Sequence, residues 1–259
     1  MFMHLVWLNV KARLQYGRSF VYEILTSMVG YIFEFLAVWI IINQFNSIIG
    51  WSFFEILFLH ALGYFVRATA SAFLWRPMWL MSDYMQRGQL DKFLLSPVNS
   101  FMYIVGSNFM TYALSHVILG GMVAIISIFF IPIDWTLLKA LLFICSLIGA
   151  MFIYGGFIVF SGAISFWTVR SSFLLRVLTE AWSVINYPIT IYPRSIQILL
   201  TFFIPFALLN YYPTVYLFRQ PGNSNSWTMI LILAAGLSFF TLVYKLWWYG
   251  VRKYQGAGS

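Results

Sequence analysis

LLKALLFICSLIGAMFIYGGFIVFSGAIS, residues 137–165, decides the class of this chain: it holds a single charge, Lys139, near one end. An apolar run of about 20 residues spans a bilayer as a helix. Similar runs lie near 20–42, 53–75, 102–131 and 227–248, with a broken apolar region at 172–218. Across the whole sequence 62% of residues are hydrophobic and 8% are charged, against about 25% charged in a soluble domain. A soluble core cannot absorb that much apolar surface, whereas lipid can. The net charge of +8 does not point to nucleic acid, because that use needs Lys and Arg gathered on one solvated face. Here they punctuate apolar runs. The lone Cys145 rules out a disulfide framework and a cysteine-based metal site.

Charge sets the orientation. Lys11, Arg13, Arg18, Arg76, Arg87, Lys92, Arg170, Lys245, Arg252 and Lys253 fall on one side of the spans, and the opposite connections near 43–52 and 131–136 carry only Asp134. Basic residues accumulate on the cytoplasmic side, so both termini are expected there and the number of spans is even. Tryptophan, which favours the headgroup level, gives the same answer. Trp51, Trp135 and Trp227 mark the outer ends, and Trp75, Trp79, Trp167, Trp247 and Trp248 the inner ends. No cleavable leader is expected, since LVWLNV is short and runs into Lys11, Arg13 and Arg18 without a small-residue cleavage site. Residues 1–19 are expected to form a helix at the interface, with His4, Lys11, Gln15 and Arg18 on one stripe and Met3, Val6, Val10 and Leu14 beside it.

Pro188, Pro193, Pro205, Pro213 and Pro221 forbid one straight helix through 172–218. Either half could span. Local charge favours the second half, which would put Arg194 inside, and hydropathy does the same through the more apolar 195–212.

Between spans two and three lies WRPMWLMSDYMQRGQLDKFLLSPVN, residues 75–99. Ser82 suits a helix cap, Asp83 and Arg87 an i,i+4 pair, and Gly88 a break. Leu90, Phe93 and Leu94 share a face, with Asp91 and Lys92 beside them and Pro97 as a stop. A short helix with an apolar face and charged flanks fits docking into a groove of a soluble partner. It fits a helix lying on the membrane surface equally well.

Arg87-Gly88-x-Leu90-Asp91-x-x-Leu94-Leu95-x-Pro97 resembles the signature loop of type-2 ABC exporter permeases, the class of daunorubicin-exporter-like permeases and relatives of the polysaccharide exporters. Tyr187-Pro188, Tyr192-Pro193, Pro205 and Asn210-Tyr211-Tyr212-Pro213 are similar to the segment that follows span five in that class. The chain departs from it at Gln86, where many relatives are acidic, and at Ser96, where close relatives often carry Arg.

The resemblance implies an all-α integral membrane fold in one domain, 1–259. It would have six spans, an interfacial helix, a cytoplasmic coupling loop at 76–97 and a re-entrant outer segment at 193–226, which makes 172–192 the fifth span. It implies a coupling helix at 83–95, with Asp83, Arg87, Gly88, Leu90, Asp91, Phe93, Leu94 and Pro97, seated on an ATP-binding subunit. Two such subunits and a second permease, identical or homologous, would complete the transporter in the bacterial inner membrane. Tyr187, Pro188, Tyr192, Pro193, Asn210 and Tyr211 would stand at the outer gate.

Within the spans, Glu23, Glu34, His60 and Arg67 are the costly residues. Depth suggests Glu34 with His60 and Glu23 with Arg67, either lining a path or pairing neighbouring helices. No His-Glu-x-x-His site, Gly-x-Ser-x-Gly elbow or phosphate-binding Gly-Lys loop occurs. Catalytic residues, metal ligands and resident cofactors are therefore not expected; ATP and magnesium would bind the partner ATPase. The rival reading is a self-contained secondary transporter or channel with a Glu34–His60–Arg67 relay.

Overall fold

A computed structural model describes residues 2–15, 17–45, 50–168, 172–182, 186–218 and 226–255. Among these residues the fold is helical, without a β-strand. The elements are α1 Phe2–Leu14, α2 Gly17–Phe45, α3 Phe53–Trp79, α4 Met81–Gln86, α5 Leu90–Leu94 and α6 Ser100–Ser107, followed by α7 Ala113–Ile128, α8 Leu137–Ile164, α9 Ser172–Trp182, α10 Arg194–Ile198, α11 Tyr211–Phe218 and α12 Ser226–Lys253. Three stretches of the described residues, Phe53–Gln86, Leu137–Ile164 and Ser226–Lys253, are long and apolar enough to cross a membrane.

The long helices are punctuated by their caps. Ser52 and Glu55 close a capping box: the Glu55 N–H donates to Ser52 Oγ at 3.4 Å, and the Ser52 N–H donates to Glu55 Oε2 at 2.7 Å. Two first-turn donors are thereby satisfied where α3 begins. Thr136 caps α8 in the same way, accepting from the Lys139 N–H at 3.2 Å.

Helices α8 and α12 form the closest pair. At Gly149 and Gly236 a β-carbon would run into the facing backbone, so the absence of a side chain lets the two helices touch. Small residues bring helices together in this way where lipid offers no hydrophobic drive. Helix α3 packs against both α7 and α8. The shared core holds Met78, Met81, Leu90, Tyr154 and Trp247.

The run 102–131 reads as one span in the sequence but is broken in the structure. Helix α6 ends at Ser107 and α7 starts at Ala113. At the break, Asn108 Nδ2 donates to the Ile104 carbonyl at 2.9 Å, and the Met110 N–H donates to the Ala72 carbonyl of α3 at 2.7 Å. Side chain and neighbouring helix take over bonds that a continuous helix would make itself, and interior backbone groups at membrane depth require such partners.

Helix α9 and, beyond it, Tyr187 lie along α3. The Arg176 guanidinium lies 5.6 Å from the Trp79 ring, Trp182 meets Tyr64, and Tyr187 meets His60. Between 194 and 218 the chain turns in short pieces: α10, a wide turn at Leu199–Phe203, a tight turn at Phe206–Leu208, and α11. These leave an apolar cleft of about 890 Å³ against α8 and α12, with Phe157, Phe202 and Phe239 in its wall.

Helix α1 lies on α6. Phe2 stacks on Phe73, and Asn9 Nδ2 donates to the Gly106 carbonyl at 3.2 Å. Val6 and Val10 pack inward, whereas Met3 and Trp7 are exposed. The expected apolar stripe is therefore divided between the protein and the surroundings; the side chain of Leu14 lies outside the described residues.

Candidate functional site

The loop expected to dock a partner forms two short helices, α4 and α5, joined at Gly88. The φ of Gly88 is 64°, a left-handed conformation that glycine adopts without the β-carbon clash other residues meet. Ser82 is not the cap that its sequence position suggests. Helix α4 starts at Met81, and Ser82 is buried with its hydroxyl 3.3 Å from that of Ser165. Asp83 and Arg87 are both exposed, and the Arg87 N–H donates to the Asp83 carbonyl at 3.0 Å.

The apolar face of the loop points the other way from the docking expectation. Leu90 is 0% exposed, and Phe93 is wedged between the rings of Tyr84 and Tyr103, 5.3 Å from each. These side chains fasten the loop to its own protein. Leu94 and Asp91 are half-buried. The surface left to a partner holds Asp83, Arg87, Lys92, Pro97 and above all Leu95, which is 85% exposed. Tyr84 connects the loop to the bundle, its hydroxyl donating to Asn108 Oδ1 at 2.9 Å. Asn108 is the residue at the break between α6 and α7.

At membrane depth the structure gives Arg67 aromatic neighbours. Its guanidinium lies 4.9 Å from the Tyr64 ring centre and 5.1 Å from that of Trp182. Tyr154 meets the same indole at 5.6 Å. His60 sits beside Tyr187 and Tyr64, at 6.0 and 6.3 Å between ring centres, with both ring nitrogens buried and without a hydrogen-bond partner among the described residues. The side chains of Glu23 and Glu34 lie outside the described residues, and with them the expected Glu34–His60 and Glu23–Arg67 pairs.

The expected outer-gate residues divide into two groups. Tyr187 reaches His60, and Asn210 Nδ2 donates to the Leu59 carbonyl at 3.3 Å. A β-carbon at Gly63 would press on both Asn210 and Trp182, so this glycine admits the two side chains against α3. Tyr211 packs on Trp51 near the start of α3, and Pro188 is buried. Tyr192 and Pro193 are not drawn to that line: Tyr192 is half-buried with its carbonyl accepting from Gln197, and Pro193 is exposed where α10 begins.

Trp182, Tyr84 and Asn108 are site residues that the sequence reading passed over, and Leu95 entered it only as part of the loop motif. One signal was available: His60, Tyr64, Arg67 and Ser71 recur at helical spacing and mark one face of α3 as polar.

A family model described as "ABC-2 family transporter protein" matches residues 28–258. Neither a curated protein nor a solved structure matches the chain.

Proposed function

The chain belongs to the ABC-2 family of transporter proteins, and on that footing we propose that it is an exporter permease whose α4–α5 loop receives the stroke of a separate ATPase. Membership makes it a multi-pass, membrane-spanning component of an ABC transporter, working with an ATP-binding subunit. The finer reading has six spans, in α2, α3, α6–α7, α8, α9 with the residues up to 192, and α12. Residues 193–226 form a re-entrant outer segment, and both termini are cytoplasmic, in a bacterial inner membrane. Two ATPase subunits supply ATP and magnesium. A second permease, identical or homologous, completes the path; nearly every described side chain of α2 is exposed, which leaves a long apolar face for it beside the lipid.

The observation that carries this reading is the division of labour in the loop. Leu90 and Phe93 anchor it inward, while Leu95 projects outward between Lys92 and Pro97. An exposed Leu on a loop so firmly held resembles the apolar anchors found at interface centres. A stroke delivered there would reach Tyr84, pass through its hydrogen bond to Asn108, and act on the junction of α6 and α7. The Met110–Ala72 bond ties that junction to α3, so α3 and α7 would rock together and change access along the permease interface.

Vesicles holding the permease with its co-purified ATPase test the proposal. Transport is expected to need ATP, to survive collapse of the ion gradients, and to fail when Leu95 becomes Glu. Transport that follows a proton or sodium gradient and ignores ATP would instead make the chain a secondary transporter.

A further inference from the structure

His60, Tyr64, Arg67 and Ser71 form a polar lane on one face of α3. Trp182 of α9 closes over it, and Tyr154 of α8 abuts the indole. A cation at the centre of a span is costly on insertion scales. Cation–π contacts are attractive, so the rings of Tyr64 and Trp182 offset part of the cost of placing Arg67 there. They do not meet its hydrogen-bonding needs. A guanidinium carries five N–H donors in a planar fork and no acceptor, and a ring face offers no lone pair to that fork. Arg67 is half-buried rather than sealed.

Two neighbours share the deficit. The indole N–H of Trp182 and both ring nitrogens of His60 are buried without a hydrogen-bond partner among the described residues, on side chains that are each 4% exposed. Buried polar groups are almost always bonded to protein, water or ligand, and an unmet one is destabilising. Three groups able to donate are thus gathered here, His60 and Arg67 about 10 Å apart along α3 at ~1.5 Å per residue and Trp182 from α9. Their complement is a group rich in acceptors. The full charge of Arg67 in a low-dielectric setting favours an anion over water, and a planar fork matches phosphate or carboxylate bidentately.

We infer that this lane binds the anionic head, phosphate or carboxylate, of the cargo, with Arg67 as the bidentate anchor and Trp182 Nε1–H as a further donor. His60 is the next group on the lane, towards the outer end of α3. The surrounding rings accommodate the apolar remainder of an amphipathic anion. The inference rests on the permease reading and names the chemical class that such a permease would carry.

The test uses the full-length permease, without ATPase, purified in dodecyl maltoside, itself a neutral amphiphile. Binding is measured by calorimetry, with melting temperature followed in parallel. Dodecyl phosphate should bind saturably, and dodecyltrimethylammonium, with the same tail and opposite charge, at least tenfold more weakly. Arg67→Gln should weaken dodecyl phosphate binding at least tenfold, and Arg67→Lys, which keeps the charge but not the fork, by less. Trp182→Phe keeps the ring and removes only the N–H; it should weaken the probe several-fold, and it serves where Arg67→Gln does not fold. Competition by inorganic phosphate at equal concentration would support the anion site and assign it to a free anion rather than an amphiphile. Equal affinity for the two dodecyl probes, or unchanged affinity in Arg67→Gln and Trp182→Phe, would overturn the inference. Because no ATPase is present, a negative result here leaves the exporter reading intact, and absence of an ATPase partner would leave a positive binding result intact.

Discussion

Leu95 and Leu90 lie five residues apart in the same loop, yet their replacement by alanine should have opposite consequences. Leu95 is 85% exposed, so its removal costs the isolated permease almost nothing. If it seats in a groove of the ATPase, burying it contributes about 1.5–3 kcal/mol to the complex. At 1.4 kcal/mol per tenfold, Leu95→Ala should weaken ATPase binding about 10- to 150-fold and leave the melting temperature of the permease unchanged. Leu90 is 0% exposed and belongs to the main core. Leu90→Ala removes buried volume at a cost of about 2–5 kcal/mol and should lower the melting temperature. Interferometry with immobilised permease and the co-purified ATPase reads the first effect; differential scanning fluorimetry reads the second. Wild-type affinity in Leu95→Ala would refute the reasoning, because the outward residue would then contact only lipid or water. So would wild-type melting in Leu90→Ala, since the loop would not be anchored where the core places it.

Other outcomes follow from the same contacts. Tyr84→Phe deletes the hydrogen bond to Asn108, worth about 0.5–1.5 kcal/mol; ATPase affinity should hold while transport per ATP hydrolysed falls, as measured in vesicles. Gly88→Val forces a β-branched residue to φ 64°, a strain of about 1–3 kcal/mol, and should reduce ATPase stimulation. Gly149→Leu should cost much of the folded yield on size-exclusion chromatography, because the facing α12 backbone occupies the space of its side chain. Ser238→Leu, on the exposed side of the same α12, is the tolerated control.

The membrane class was legible from residues 137–165 alone; the loop at 76–97 was singled out by its charge and its resemblance. What the sequence could not show was direction. An apolar face at Leu90, Phe93 and Leu94 reads the same whether it meets a partner or its own bundle, since periodicity identifies a face and not its neighbour. The break after Ser107 was hidden because Asn108 is one polar residue in a long apolar run, and averaging over a span conceals it. Only the bonds to Ile104 and Ala72 reveal that the helix stops there. The pairing suggested for Arg67, with Glu23, lies outside the described residues, but the aromatic neighbours of Arg67 were not foreseen. The structure shows two ring faces beside it, from Tyr64 three residues earlier and from the distant Trp182. Trp182 belongs to a chain full of tryptophan, and composition gave no reason to choose it. Proline spacing, in contrast, announced the broken path through 194–218 correctly, because proline acts on local backbone regardless of context.

The central claim is that this permease is driven by an ATPase held at the α4–α5 loop. Native mass spectrometry of the complex captured from its own membrane tests that most directly. The account predicts a particle with two permease chains and two ATP-binding subunits, which loses the ATP-binding subunits in the Leu95→Glu variant. A permease that emerges intact and transport-competent without any ATP-binding subunit would contradict it.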